Sequence, residues 1–167
     1  SVDDGALVSR GGRGYLFTER DDCTDCHLRV EVRVNAKGNG GLYFHAEYGF
    51  GFDLARFNGS GFTPVGYEVE VGTPQGAGIT SAAGTVSRCG PGVDITRSRV
   101  RAAGDGMRPD TWARLEVIAG GDRRTVRLDG REVVAFTEPA PVRRRGHFAL
   151  QSLTPDTTVA FRGIEVK

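Results

Sequence analysis

Long apolar runs are missing from this chain of 167 residues, and so is a surplus of either charge. No stretch approaches the roughly 20 apolar residues that a membrane helix needs. The 22 Lys and Arg against 21 Asp and Glu leave a net charge of +1, so no long-range field favours a polyanion and nucleic acid is not an expected partner. Ser1-Val2-Asp3-Asp4-Gly5 carries neither the basic nor the apolar part of a signal peptide, and the expectation is a soluble domain whose cellular address cannot be read from its residues. Histidine and cysteine are scarce, at 3 each, and no grouping of His, Asp and Glu has a recognisable ligand spacing. No cofactor and no metal site is therefore expected.

Glycine is abundant: 25 glycines and 7 prolines imply frequent turns between short strands. His27 to Val34 alternates, with Leu28, Val30, Val32 and Val34 on one face and Arg29, Glu31 and Arg33 on the other, as in a half-buried strand. Thr111 to Ala119 repeats the pattern, Gly120-Gly121-Asp122 turns the chain toward Val126 and Leu128, and Asp129-Gly130 supplies a tight hairpin into Val133, Val134 and Phe136. His147 to Gln151 and Thr158 to Val166 read as strands, with a bulge at Gly163 where the apolar parity shifts. Ala6 to Ser9 and Tyr15 to Thr18, separated by Gly11-Gly12, predict an opening hairpin. No helix longer than a turn is expected, residues 72–108 read as loop-rich, and nothing divides residues 1–167 into more than one domain.

Several ordered stretches carry a resemblance. They are His27-Leu28-Arg29-Val30-Glu31-Val32-Arg33, Gly38-Asn39-Gly40-Gly41-Leu42-Tyr43-Phe44 and Gly66-Tyr67-Glu68-Val69-Glu70-Val71. The C-terminal half adds Trp112-Ala113-Arg114-Leu115-Glu116-Val117, Val126-Arg127-Leu128-Asp129-Gly130, Ala149-Leu150-Gln151 and Val159-Ala160-Phe161-Arg162-Gly163-Ile164. In this set the chain resembles the bacterial 3-keto-disaccharide hydrolase domains, a branch of the concanavalin-like lectin and glucanase architecture. The resemblance implies an all-β jelly-roll sandwich of two antiparallel sheets, with a carbohydrate site on the concave sheet. It also implies cleavage of oxidised, 3-keto glycosides. The chain departs from the family's usual pattern at several places. Asn39-Gly40-Gly41 stands for Asn-Ser-Gly, His45 lies near a usual Arg, Ala113 replaces an Asn, and Thr73 replaces the Asp that closes Glu-x-Gln-x-x-Asp.

Glu68 and Glu70, two apart on a strand, leave the same face with bases about 7 Å apart, in the range of two cooperating carboxyls. They are the candidate acid and base, with His45 as a further candidate base; the alternative is a solvated strand face, with Tyr67, Val69 and Val71 turned to the core. Arg88 is the candidate cation for an enolate oxygen. Eight of the fourteen aromatics lie between Tyr43 and Tyr67. Among them Tyr43, Tyr48, Phe50, Phe52 and Phe57 are candidate sugar-facing rings, with Arg56 beside them; the alternative is a satellite core under a long loop. Asn39 and Gln151 complete the candidate substrate-binding set.

Cys23-Thr24-Asp25-Cys26-His27 matches the attachment pattern of c-type haem but runs straight into a strand. A thiol pair or a local disulfide fits it better, and zinc with His45 or His147 is a further alternative, although a second ligand pair is absent. Arg97, Arg99 and Arg101 and the run Arg143-Arg144-Arg145 read as solvated faces, and as the places to seek an anionic partner. Three functions stay open: a hydrolase acting on 3-keto glycosides, a carbohydrate-binding module within a larger protein, or a structural interaction domain with no glycan.

Overall fold

The structure, a computed structural model, describes residues 1–49, 52–53, 62–73, 83–91, 93, 98–104 and 106–167, and the side chains of all these except Phe52, Asp53 and Phe62. It is all β, and no helix among the described residues is long and apolar enough to cross a membrane. A seven-stranded antiparallel sheet runs in the order β1 (Val2–Asp3), β2 (Ala6–Arg10), β14 (Thr158–Val166), β4 (Cys26–Val34), β10 (Ala113–Gly120), β11 (Arg123–Leu128) and β12 (Arg131–Thr137). A five-stranded sheet follows the order β3 (Gly14–Phe17), β13 (His147–Ser152), β5 (Asn39–Ala46), β8 (Gly66–Gly72) and β9 (Val86–Cys89). The short pair β6 (Phe52–Asp53) and β7 (Phe62–Thr63) stands apart. Two sheets joined by such long-range crossings form a jelly-roll sandwich.

The period-2 apolar pattern sets the core. Leu28, Val30, Val32 and Val34 of β4 and Leu115, Val117 and Ala119 of β10 face Leu42, Phe44, Tyr67, Val69 and Val71 of the other sheet in one continuous cluster. Each fully buried Leu, Val or Phe here contributes on the order of 2 kcal/mol by leaving water. The Asp129-Gly130 turn has both residues at positive φ, 50° and 80°, and joins Leu128 to Arg131 as a two-residue hairpin. Val133 is the extra residue of a bulge opposite Val126 and Arg127, which is why Val133 and Val134 are both buried. The bulge expected at Gly163 is present, between Arg162 and Glu165 in the pairing with β4.

The opening hairpin is not formed. β2 pairs with β14 in the seven-stranded sheet, whereas β3 pairs with β13 in the five-stranded one, so Gly11-Gly12 carries the chain between sheets. Two glycines between alternating segments turn the chain equally well either way, and the partner strands that decide lie near the other end of the sequence. The actual first hairpin is β1 with β2, through Asp4 and Gly5.

Candidate functional site

The outward face of the five-stranded sheet carries the candidate chemistry, and its order follows from strand register. One cross-strand row reads Phe17, Ala149, Tyr43, Glu68 and Ser87; the adjacent row reads Tyr15, Gln151, Gly41 and Glu70. With strands about 4.8 Å apart, the second row spans about 14 Å from the Tyr15 strand to the Glu70 strand. Tyr67, Val69 and Val71, the alternate residues of β8, point into the core as their parity requires.

Both glutamates are buried, at 7% and 8% exposure, so neither lies on a solvated strand face. Gly41 makes room for them: a Cβ there would stand 2.8 Å from Gln151 Oε1 and 2.9 Å from Glu68 Oε1. Gly40 is closed in the other direction, because a Cβ would meet the Gln151 carbonyl oxygen at 2.5 Å.

The environments of the two carboxyls differ. Burial, and then the neighbouring Glu70, push Glu68 up to about 8; hydrogen bonding with Tyr43 and Gln151 opposes this only in part. Glu70 is also raised by burial, but Arg99 and the Ser87 hydroxyl pull it back. Arg99 Nη2 lies 3.7 Å from Glu70 Oε1, its Nε donates to Ser87 Oγ at 3.2 Å, and the Ser87 hydroxyl donates weakly to Glu70 Oε1 at 3.5 Å. Of the two, Glu68 thus holds its proton more tightly and Glu70, beside Arg99, gives its proton up first, the order an acid and base pair needs. Cys89 Sγ sits 4.0 Å from Glu68 Oε2, and burial followed by the Glu68 charge pushes that thiol well above its usual range.

Around the glutamates runs a hydrogen-bonded aromatic network. Tyr43 is fully buried, its Oη 2.5 Å from Thr63 Oγ1, and Gln151 Nε2 donates to Tyr15 Oη at 3.0 Å and to Tyr43 Oη at 3.4 Å. The rings continue outward: Tyr15 meets Tyr43 edge-on at 5.7 Å and stacks on Phe17 at 6.3 Å. Phe17 then meets Tyr48 at 5.1 Å, and Tyr48 is 74% exposed. Two buried acceptors on this face, Gln151 Oε1 and Asn39 Oδ1, have no hydrogen-bond donor. Such orphans are rare in native interiors.

Glu68, Glu70, Asn39, Tyr43 and Gln151 therefore gather on one face, with Tyr48 at the end of its aromatic row. Phe50, Arg56 and Phe57 lie outside the described residues, and only the backbone of Phe52 is described. Two candidates lie elsewhere. Arg88 pairs with Tyr67 in register and so projects inward, where its Nε donates to Glu138 Oε1 at 2.5 Å and its guanidinium covers Phe136. His45 sits at φ 47° in a bulge where β5 has one residue more than β13 between His147 and Ala149. The bulge reverses the parity: Ala46 packs with Tyr43 and Cys89, whereas the His45 ring meets Phe44 and Tyr67, away from the glutamates. Gly66 and Gly146 line the bulge, where a Cβ would come within 2.8 Å and 2.5 Å of the His45 and Ala46 carbonyl oxygens.

Sequence reasoning missed Tyr15, Phe17 and Arg99. The alternation of Tyr15 and Phe17 was visible, but not the sheet they join; Arg99 was visible only as one of several alternate arginines. Cys23 and Cys26 form a disulfide, and Cys89 is a buried free thiol.

With the geometry in place, comparison with known proteins defines the class. The fold is shared with a carbohydrate-binding module, CBM66 of Bacillus subtilis, at 16% identity and TM-score 0.66, covering 98% of this chain and 95% of that one. It is shared with a candidate glycosyl hydrolase of Parabacteroides distasonis at 16% identity and TM-score 0.72, covering 100% and 82%. A galectin of Caenorhabditis elegans matches at 11% identity and TM-score 0.57, covering 98% and 96%. No curated protein sequence matches the chain. The chain belongs to the 3-keto-alpha-glucoside-1,2-lyase-like domain family, whose model matches residues 1–167, and it is thereby a carbohydrate-related domain.

Proposed function

We propose that residues 1–167 form one catalytic domain that cleaves 3-keto glycosides by elimination followed by addition of water. The observation that carries this reading is the buried pair Glu68 and Glu70, in which Arg99 lies 3.7 Å from Glu70 and bears on Glu68 only as a lesser influence. A ketone at carbon 3 acidifies the hydrogen at carbon 2. Glu70, ionised yet more basic than an exposed carboxylate, removes that proton, and the electron pair passes into the enolate. Arg99, rather than the inward Arg88, is the nearby cation for the enolate oxygen. The bond from carbon 1 to the leaving oxygen then breaks, and Glu68 donates its proton to the departing group. Water adds to carbon 1 of the resulting enone and passes a proton to Glu68 while Glu70 returns its proton to carbon 2, so both carboxyls are restored and the sum is hydrolysis. The half-buried rings of Tyr15 and Phe17 offer flat faces to the sugar, the buried Tyr43 backs them, and Asn39 Oδ1 and Gln151 Oε1 accept from its hydroxyls.

A time course with a 3-keto-glucoside bearing a chromogenic leaving group, beside the unoxidised glucoside and Glu68→Gln, tests this. Release from the keto sugar alone, lost in the variant, is expected. Release from neither sugar, combined with retained glycan binding, would replace it with the second reading, a non-catalytic carbohydrate-binding module. The two orphaned acceptors favour that alternative on their own, since they need only hydroxyl donors.

A further inference from the structure

On the other side of the β5 bulge lies a group of residues that the proposed carbohydrate chemistry does not use. The Cys23 and Cys26 sulfurs and a ring nitrogen of His45 all lie within 4.8 Å of one another. His45 is 1% exposed, and its Nε2–H donates to the Thr24 carbonyl at 2.9 Å. That bond places a proton on Nε2; Nδ1 is a buried atom that makes no close hydrogen bond, and the Arg143 carbonyl is the other backbone acceptor that acts on the ring. A histidine that donates one ring nitrogen to a carbonyl and holds the other without a close hydrogen bond has the arrangement of a metal ligand held by its outer contacts. The bulge with His45 at φ 47° is what brings the ring to this side of the strand.

We propose that the reduced chain binds a zinc ion through Cys23 Sγ, Cys26 Sγ and His45 Nδ1. In the disulfide form the two sulfurs are joined to each other and the site is closed. A dithiol reductant opens it by thiol–disulfide exchange: the reductant's two thiols become its own disulfide, and Cys23 and Cys26 each gain a proton. Zinc then binds two thiolates and the neutral imidazole, and the two thiol protons pass to solvent. The two thiolates neutralise the ion, so Arg124, which acts on the ring electrostatically, faces no net positive charge. Cys23 is only partly buried and borders a cavity of about 470 Å³ lined also by Thr24, Phe148 and Lys167, which gives the ion entry and leaves the fourth position to water or a small ligand.

The disulfide closes only the short loop between Cys23 and Cys26. Zinc would tie the start of β4, in the seven-stranded sheet, to β5 in the five-stranded one. The site is thus a redox-selected choice between a local link and a clasp across the sandwich.

The test is zinc titration of the whole chain, oxidised and reduced, in competition with a chromogenic chelator. About one equivalent should bind to the reduced chain and none to the oxidised one, with affinity about tenfold or more lower in Cys23→Ser and in His45→Asn. Asn tolerates the positive φ, and circular dichroism of the metal-free variants checks their folding. Zinc-edge X-ray absorption of the unmutated, reduced chain gives a measure that needs no variant: two sulfurs at about 2.3 Å and an imidazole nitrogen at about 2.0 Å. Equal binding by the oxidised chain, no binding by the reduced chain, or a zinc shell without imidazole would overturn the proposal.

Discussion

Both faces of the five-stranded sheet are buried, yet they are made of opposite materials. Inward, Leu42, Phe44, Val69 and Val71 pack against β4 and β10, and the polar groups of Tyr67 and Arg88 are answered by Glu138. Outward, the same strands bury Glu68, Glu70, Gln151 and Asn39, with two acceptors left over and a proton held against the usual range of a carboxyl. A buried acid without full partners opposes folding. The inner face holds the fold together, and the outer face draws on that stability to keep buried polar groups in place.

The comparison can be broken most forcefully by chemistry. Glu70→Gln should lower kcat on a 3-keto-glucoside by about 10²–10⁴ while leaving the dissociation constant within about twofold, as read by single-turnover kinetics and calorimetry. A variant that retains turnover would return the outward glutamates to a binding role. Inward, Phe44→Ala should destabilise the chain by about 3–5 kcal/mol in urea unfolding, through lost burial and the cavity left behind. A loss below about 1 kcal/mol would mean that the inner face is not the foundation drawn above.

A finer test uses pH. Folded Glu68 keeps its proton to about 8, whereas the unfolded chain releases it near its ordinary 4.5. Between these values the native state binds the extra proton, so this carboxyl's contribution to stability is greatest below about 4.5 and falls as pH rises toward about 8. Glu70, also raised, adds to the same slope. Glu68→Gln should flatten it and make the chain more stable at pH 8, on the order of 2 kcal/mol, with the gain shrinking toward pH 4. A parallel offset at both pH values would refute the assignment of the slope to this carboxyl. The smallest effect is expected from Tyr15→Ala, which should weaken glycan binding by about 1 kcal/mol through loss of one stacking face. Unchanged affinity would remove the aromatic row from the proposed site.

Alternation made most of the sandwich legible: β4, β10 and the Asp129-Gly130 hairpin follow from local pattern alone, and so does the shared face of Glu68 and Glu70. What escaped depends on register between distant segments. Arg88 and Arg99 look alike in the sequence; only the pairing of Arg88 with Tyr67 sends it inward and leaves Arg99 beside Glu70. Tyr15 reaches Gln151 across 136 positions, a relation invisible before β3 and β13 are known to be neighbours. His45 was misplaced because a bulge changes parity without an unambiguous local mark.

Gly40 leaves a mark on how this chain can diverge from its relatives. The family's usual serine cannot simply be restored there, since its Cβ would press on the Gln151 carbonyl at 2.5 Å and force β5 and β13 apart at the row that holds Gln151. The two positions are therefore epistatic: an evolutionary route between the Asn-Gly-Gly and Asn-Ser-Gly forms must shift the β13 backbone before, or together with, the change at 40, and a homologue carrying the serine should show a displaced strand there.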